Sequence, residues 1–194
     1  MKNLFKATFV AFLASAMISC GSVDRGNFVG NWTPDLGSVD IHVSDKIPSE
    51  FQKEMDMDRM KSEMKKNQPM ADMVNMEFKE DGTFTVGPEG QTMDFKWDVD
   101  GSNLVISGTV PKEAKGDLAG KPFSFSFEVM ESTTDEFTVK LTGTSVKEQF
   151  EAQFKSQYDE MMNEAGPFLG MMDLDGILAD TWASLKFKKK ASEA

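Results

Sequence analysis

Residues 75–86 read NMEFKEDGTFTV and residues 93–107 read MDFKWDVDGSNLVIS. In the first stretch Met76 and Phe78 share one side of an extended chain, an Asp81-Gly82 step intervenes, and Phe84 and Val86 resume the apolar side. In the second, Met93, Phe95, Trp97 and Val99 alternate with Asp94, Lys96 and Asp98, and Leu104 and Ile106 return after Asp100-Gly101. A period of two is that of a half-buried strand, and Asp-Gly between two such runs is a hairpin turn. Amphipathic antiparallel strands need cover for their apolar faces, so they curl into a barrel or pair sheet to sheet.

The same pattern extends in both directions. Val39, Ile41 and Val43 alternate with Asp40 and His42, Phe123, Phe125, Phe127 and Val129 with Ser124, Ser126 and Glu128, and Phe137, Val139 and Leu141 follow a turn. Nine strands are expected, at 28–33, 38–43, 75–80, 83–87, 92–99, 103–108, 123–130, 136–142 and 183–188. Two segments break the period. Ile47 to Asn67 is rich in helix formers, with Pro48 suited to a first turn and Asn67 and Pro69 to a stop, and a short helical turn follows at Met70 to Val74. Ser145 and Glu148 match a capping box for a helix over 145–165 that Gly166-Pro167 ends. Val146, Phe150, Phe154, Tyr158, Met161 and Ala165 form its apolar stripe, expected to pack on the sheet. Strands, a helix after the penultimate strand, and one last strand favour a barrel.

Residues 28–32, FVGNW, resemble the G-x-W signature of the lipocalins, with Gly30 and Trp32 in the first strand. The two hairpins are similar to those of lipocalin-like domains in Gram-negative envelope lipoproteins, and TTDEF at 133–137 is similar to the second lipocalin region. The resemblance implies a lipocalin-like antiparallel β-barrel over 28–190, with a helical insertion at 48–74 similar to the lid of fatty-acid-binding proteins. Trp32 would plug one barrel end as a structural residue. The arginine that lipocalins place near this tryptophan is absent, and Lys186 or Lys188 is the expected substitute.

At the N-terminus, Lys2 and Lys6 precede an apolar run from Ala7 to Ile18, too short for the ~20 residues of a membrane-spanning helix and typical of a signal peptide. MISC at 17–20 resembles a bacterial lipobox. Residues 1–19 are thus expected to be a leader, Cys20 the lipidated first residue of a tether over 20–27, and 191–194 a tail. Several acyl chains hold a protein stably, since each buried methylene contributes ~0.8 kcal/mol. The resemblance to lipoproteins further implies the outer membrane, since Gly21 rather than aspartate follows Cys20. Cys20 is the sole cysteine, so its acylation leaves no thiol for a disulfide, zinc or nucleophilic catalysis. A net charge of −11 argues against nucleic acid and anionic headgroups as partners.

Catalytic signatures are missing: there is no G-x-S-x-G, H-E-x-x-H or phosphate loop, and the one histidine, His42, has no partner defined by spacing. The aspartates of DVDG and DLDG read as turn residues rather than calcium loops. No enzyme, cofactor or resident metal is expected. Sixteen Phe against one Tyr suggest an apolar ligand, with Phe78, Phe84, Phe95, Phe123, Phe125 and Phe127 as its lining if the barrel is hollow. If it is filled, those residues are core and the alternative is an envelope protein-interaction module. Its partner surface would be the Met-rich helices, including Met57, Met60 and Met64. The same three sulfurs fall on one helical arc, where soft thioethers suit copper(I), although an adaptable apolar surface is the commoner use of clustered methionine.

Overall fold

The computed structural model describes residues 23–191 apart from 50, 51, 53–55, 89, 113–118, 157 and 161–172. Cys20 and the leader, Phe51, Met55, Met161, Ala165 and the Gly166-Pro167 stop lie outside the described residues. A 3-10 turn at Arg25–Phe28 leads into β1 (Gly30–His42). Helices α1 (Met57–Lys66) and α2 (Gln68–Asp72) follow, then β2 (Val74–Phe78), β3 (Thr83–Pro88), β4 (Met93–Asp100), β5 (Asn103–Thr109), β6 (Pro122–Ser132) and β7 (Glu136–Thr142). Helices α3 (Gly143–Gln153) and α4 (Leu174–Asp180) precede the closing β8 (Trp182–Lys189). The strands form a closed antiparallel barrel in sequence order, β8 returning to β1. This is the mainly β architecture expected, with helices inserted early and before the last strand. No helix among the described residues is long and apolar enough to cross a membrane.

Eight strands replace the nine expected, because 28–33 and 38–43 belong to one strand. The register against β8 passes from Asp35↔Lys186 to Asp40↔Ser184 across a bulge. Ser38 holds the bulge in the ladder: its Oγ donates to the Asp35 carbonyl at 2.7 Å and accepts from the Lys186 N–H at 3.0 Å. The Asp-Gly hairpins form as read, with Gly82 at φ 85° and Gly101 at φ 60°, the left-handed region that glycine enters without a Cβ clash.

One end of the barrel is sealed by aromatic packing. Phe28 and Trp32 are wholly buried among Phe78, Phe84, Trp97, Leu104, Val129, Phe137 and Val139. The Phe28 ring lies 4.9 Å from Phe137 and 6.4 Å from Phe78, within the range of edge-on aromatic attraction. Trp32 satisfies its indole N–H by donating to the Phe28 carbonyl at 2.6 Å. The cation over Trp32 is neither Lys186 nor Lys188 but Lys189, directly opposite in the ladder, with Nζ 5.6 Å from the ring centre. Lys186 pairs with Glu136 and Lys188 with Asp35 instead. Gly30 has a φ of 132°, a backbone conformation that residues with a Cβ rarely adopt.

Helix α3 starts earlier than the capping box implies. Strand β7 runs straight into it, so Thr142 ends the strand and caps the helix, its Oγ1 accepting from the Ser145 N–H at 3.1 Å. The helix breaks at Phe154, whose φ of −135° is not helical, which divides the segment expected to run unbroken over 145–165.

Candidate functional site

The barrel is fully laddered only at its sealed end. Strands β1 and β2 pair through Gly30–Trp32 alone, and β6 meets β7 only from Glu128 to Ser132. Beyond those points the wall splits twice toward the opposite end, leaving backbone edges on β1 and β6 without a strand neighbour among the described residues. Glutamine side chains occupy both edges. Gln68 of α2 accepts from the Leu36 N–H at 2.7 Å and donates to the Pro34 carbonyl at 2.9 Å. Gln149 of α3 pairs in the same way with the N–H and C=O of Ser126, and Gln153 with those of Ser124. A primary amide carries one acceptor and a donor group, as a peptide does, so each side chain stands in for a strand residue. The spacing fits, because four residues of helix rise about 6.0 Å and two of strand about 6.6–6.8 Å.

The open end holds the candidate site. Phe137 and Phe187, stacked at 4.7 Å in the core, set the inward face of β7 and β8. Two-residue steps from them lead to Leu141 and Ala183, and Ile41 lies directly opposite Ala183 on β1. This cross-strand row lines an apolar groove of about 580 Å³, together with Val146 and Phe150 of α3, Leu174 and Leu178 of α4, and Tyr158. Helix α4 reaches α3 so closely because residue 143 is glycine: a Cβ there would lie 2.7 Å from the Leu178 carbonyl oxygen. The Gly143 N–H donates to the Thr181 carbonyl at 2.7 Å, and Thr181 Oγ1 accepts from the Ser44 N–H at 3.2 Å. Helix α3 and the chain just after β1 are thereby both fastened to Thr181, between α4 and β8, at the rim.

Among the described residues lining the groove, Lys147 alone carries a charge. Its Nζ donates to Asp175 Oδ1 at 2.6 Å, tying α3 to the first turn of α4. The hydrogen bond to Asp175 holds the lysine protonated to a higher pH than usual, with further support from the charges of Asp175, Tyr158 and Glu151.

The six expected lining phenylalanines do not line this groove. Phe78 and Phe84 belong to the packed core, and Phe95 and Phe127 lie against it. Phe123 meets Phe95 edge to face at 5.3 Å and neighbours Phe125 at 5.7 Å, on the inward side of β4 and β6. Gly108 makes room for them, since a Cβ would stand 2.6 Å from the Phe95 ring. The helical stripe predicted from sequence does reach the site through Val146, Phe150 and Tyr158. Ile41, Leu141, Ala183 and the α4 leucines were not distinguishable from core positions, and Lys147 falls off the stripe.

The methionine helix lies along β1. Met57 and Met64 are half-buried with Lys61, Gln68 and Ala71 on one side of α1 and α2, while Met60 is exposed and Met70 and Met73 more so. Both helices contact β1, and α2 also contacts β2, so the insertion covers the split in the wall. His42 has gained a neighbour that its spacing did not reveal: Asp180 Oδ1 lies 3.5 Å from its Nε2, and Trp182 stacks on the ring. Of the DLDG aspartates, Asp173 caps α4 by accepting from the Gly176 N–H at 3.0 Å. No three His, Cys, Asp or Glu side chains converge as a metal set among the described residues.

Comparison with family models, with curated proteins and with solved structures gave no match.

Proposed function

We propose that the chain is a lipocalin-like lipoprotein, held to the outer membrane of a Gram-negative envelope through Cys20, that binds or carries a small hydrophobic ligand without catalysis. One observation carries the binding reading. The apolar groove at the open end, about 580 Å³, falls in the ~300–1,000 Å³ range of small-molecule sites. Val146 is 48% exposed on its wall, apolar surface left to water where a ligand would cover it. The anchor reading is supported by sequence alone: the leader over 1–19, the MISC stretch and Gly21.

Native mass spectrometry of the purified protein offered mixed apolar small molecules tests the groove. A bound species in the wild type, lost in Val146→Gln at unchanged thermal stability, supports the reading, and a ligand-free wild type sinks it. Metabolic labelling with palmitate tests the anchor, and label that persists in Cys20→Ser defeats it.

A second reading, a protein-interaction module, draws on the 69% and 74% exposure of Met70 and Met73. Reproducible capture of one partner, abolished by Met70→Ser with Met73→Ser, together with an empty groove, would favour it.

A further inference from the structure

From the position of Lys147 we infer that the groove selects an apolar chain ending in a single negative charge, a carboxylate, which takes the place of Asp175 on the lysine. The inference rests on the groove being a ligand site and adds the chemistry of the head group.

The described walls of the groove offer an apolar tail mostly hydrocarbon and aromatic surface: the Ile41–Ala183–Leu141 row, the α3 stripe and the α4 leucines. Such walls bind tails without discriminating head groups, so selectivity has to come from the polar groups at the rim. Lys147 lines the groove and is only 26% exposed, whereas its partner Asp175 is 82% exposed. The two carboxylates in competition therefore differ. Asp175 returns to water with little loss, because an exposed ion pair is worth little, and it stays near the N-terminus of α4, which favours a negative charge. A ligand carboxylate would be delivered to the ammonium by the burial of its own tail, and would form a charge-assisted hydrogen bond beside an apolar wall.

A head with one negative charge is the match. Lys147 is the one cation among the described lining residues and Glu151 acts on it as well, while Lys140, 5.1 Å over the lining Trp182 ring, is engaged by that ring. The exchange also has a mechanical side. The Lys147–Asp175 bond joins α3 to α4 across the rim, and a ligand that captures the lysine releases that tie.

Calorimetric titration of the full chain with dodecanoate and with dodecan-1-ol separates tail from head. The expected result is that dodecanoate binds roughly ten- to a hundredfold more tightly, the span of a hydrogen bond to a charged group. Lys147→Met should bring the two affinities together by weakening dodecanoate, Lys147→Arg should keep the preference, and Asp175→Asn should strengthen dodecanoate binding. Equal affinities in the wild type, or a preference that survives Lys147→Met, overturn the head-group inference and leave the groove as an unselective apolar site. Binding of neither compound overturns the groove reading and this inference together. Unchanged melting temperatures of the variants keep these outcomes separate from unfolding.

Discussion

Phe28 shows how much a single side chain decides at the sealed end. It reaches the barrel axis from a one-turn 3-10 helix, held by Asp24 accepting from the Gly26 N–H at 2.8 Å, and its carbonyl is the partner of the Trp32 indole. Arg25 beside it lies 4.4 Å over the Trp97 ring, bonds Asp98 and donates to the Glu80 carbonyl, so the turn is clipped across the barrel base. Replacing a fully buried phenylalanine by alanine costs about 3–5 kcal/mol, because the cavity it leaves cannot fully collapse. Phe28→Ala is expected to lose that much in urea unfolding. A loss under about 1 kcal/mol would mean that the turn does not plug the barrel.

Among elements, α3 repays attention because it replaces a strand partner. Gln149 and Gln153 satisfy four backbone groups of β6, and Ser145 Oγ accepts from Gln149 Nε2 at 2.6 Å, orienting its amide. Backbone groups left unpaired cost about 1–3 kcal/mol each when buried and less where water reaches them. Gln149→Ala, at the half-buried Ser126, is expected to destabilise by about 1–3 kcal/mol and to increase amide exchange at Ser126. Gln153→Ala, at the exposed Ser124, should cost less. Equal and negligible losses would show that water replaces both amides freely. The hairpins from β2 to β5 were legible in the sequence because alternation and Asp-Gly turns are local signals. The Q-x-x-x-Q spacing was equally visible, but its meaning depends on β6 outrunning β7, a long-range register that no local pattern encodes. The same limit hid the groove, whose residues come from five elements and read singly as core.

For the molecule as a whole, barrel closure joins β1 to β8, and that seam carries acid-sensitive bonds. Asp35 Oδ2 lies 2.7 Å from Lys188 Nζ across it, and this hydrogen bond, with help from the Gly37 and Ser38 N–H groups, holds the Asp35 carboxyl below the usual carboxylate value. A carboxyl depressed in the folded state stabilises above its unfolded pKa, and that contribution is lost as pH falls through the folded value. Lys188, shifted upward by the same bond, stays protonated throughout that window. Asp35→Asn should therefore be less stable than the wild type near neutrality, and the gap should narrow between about pH 5 and pH 2. Denaturant midpoints measured across that range check this, and a gap independent of pH would remove the seam as the cause.

The glutamine caps also bear on what happens between molecules. The β6 edge they cover runs Phe123-Ser124-Phe125-Ser126-Phe127, an aromatic-rich, alternating and uncharged run without proline, the composition from which steric zippers assemble. An open edge of that kind templates the addition of another chain. By lying over it, α3 denies that edge to a second copy of the chain, and the edge is open to one in any chain whose α3 has yet to dock.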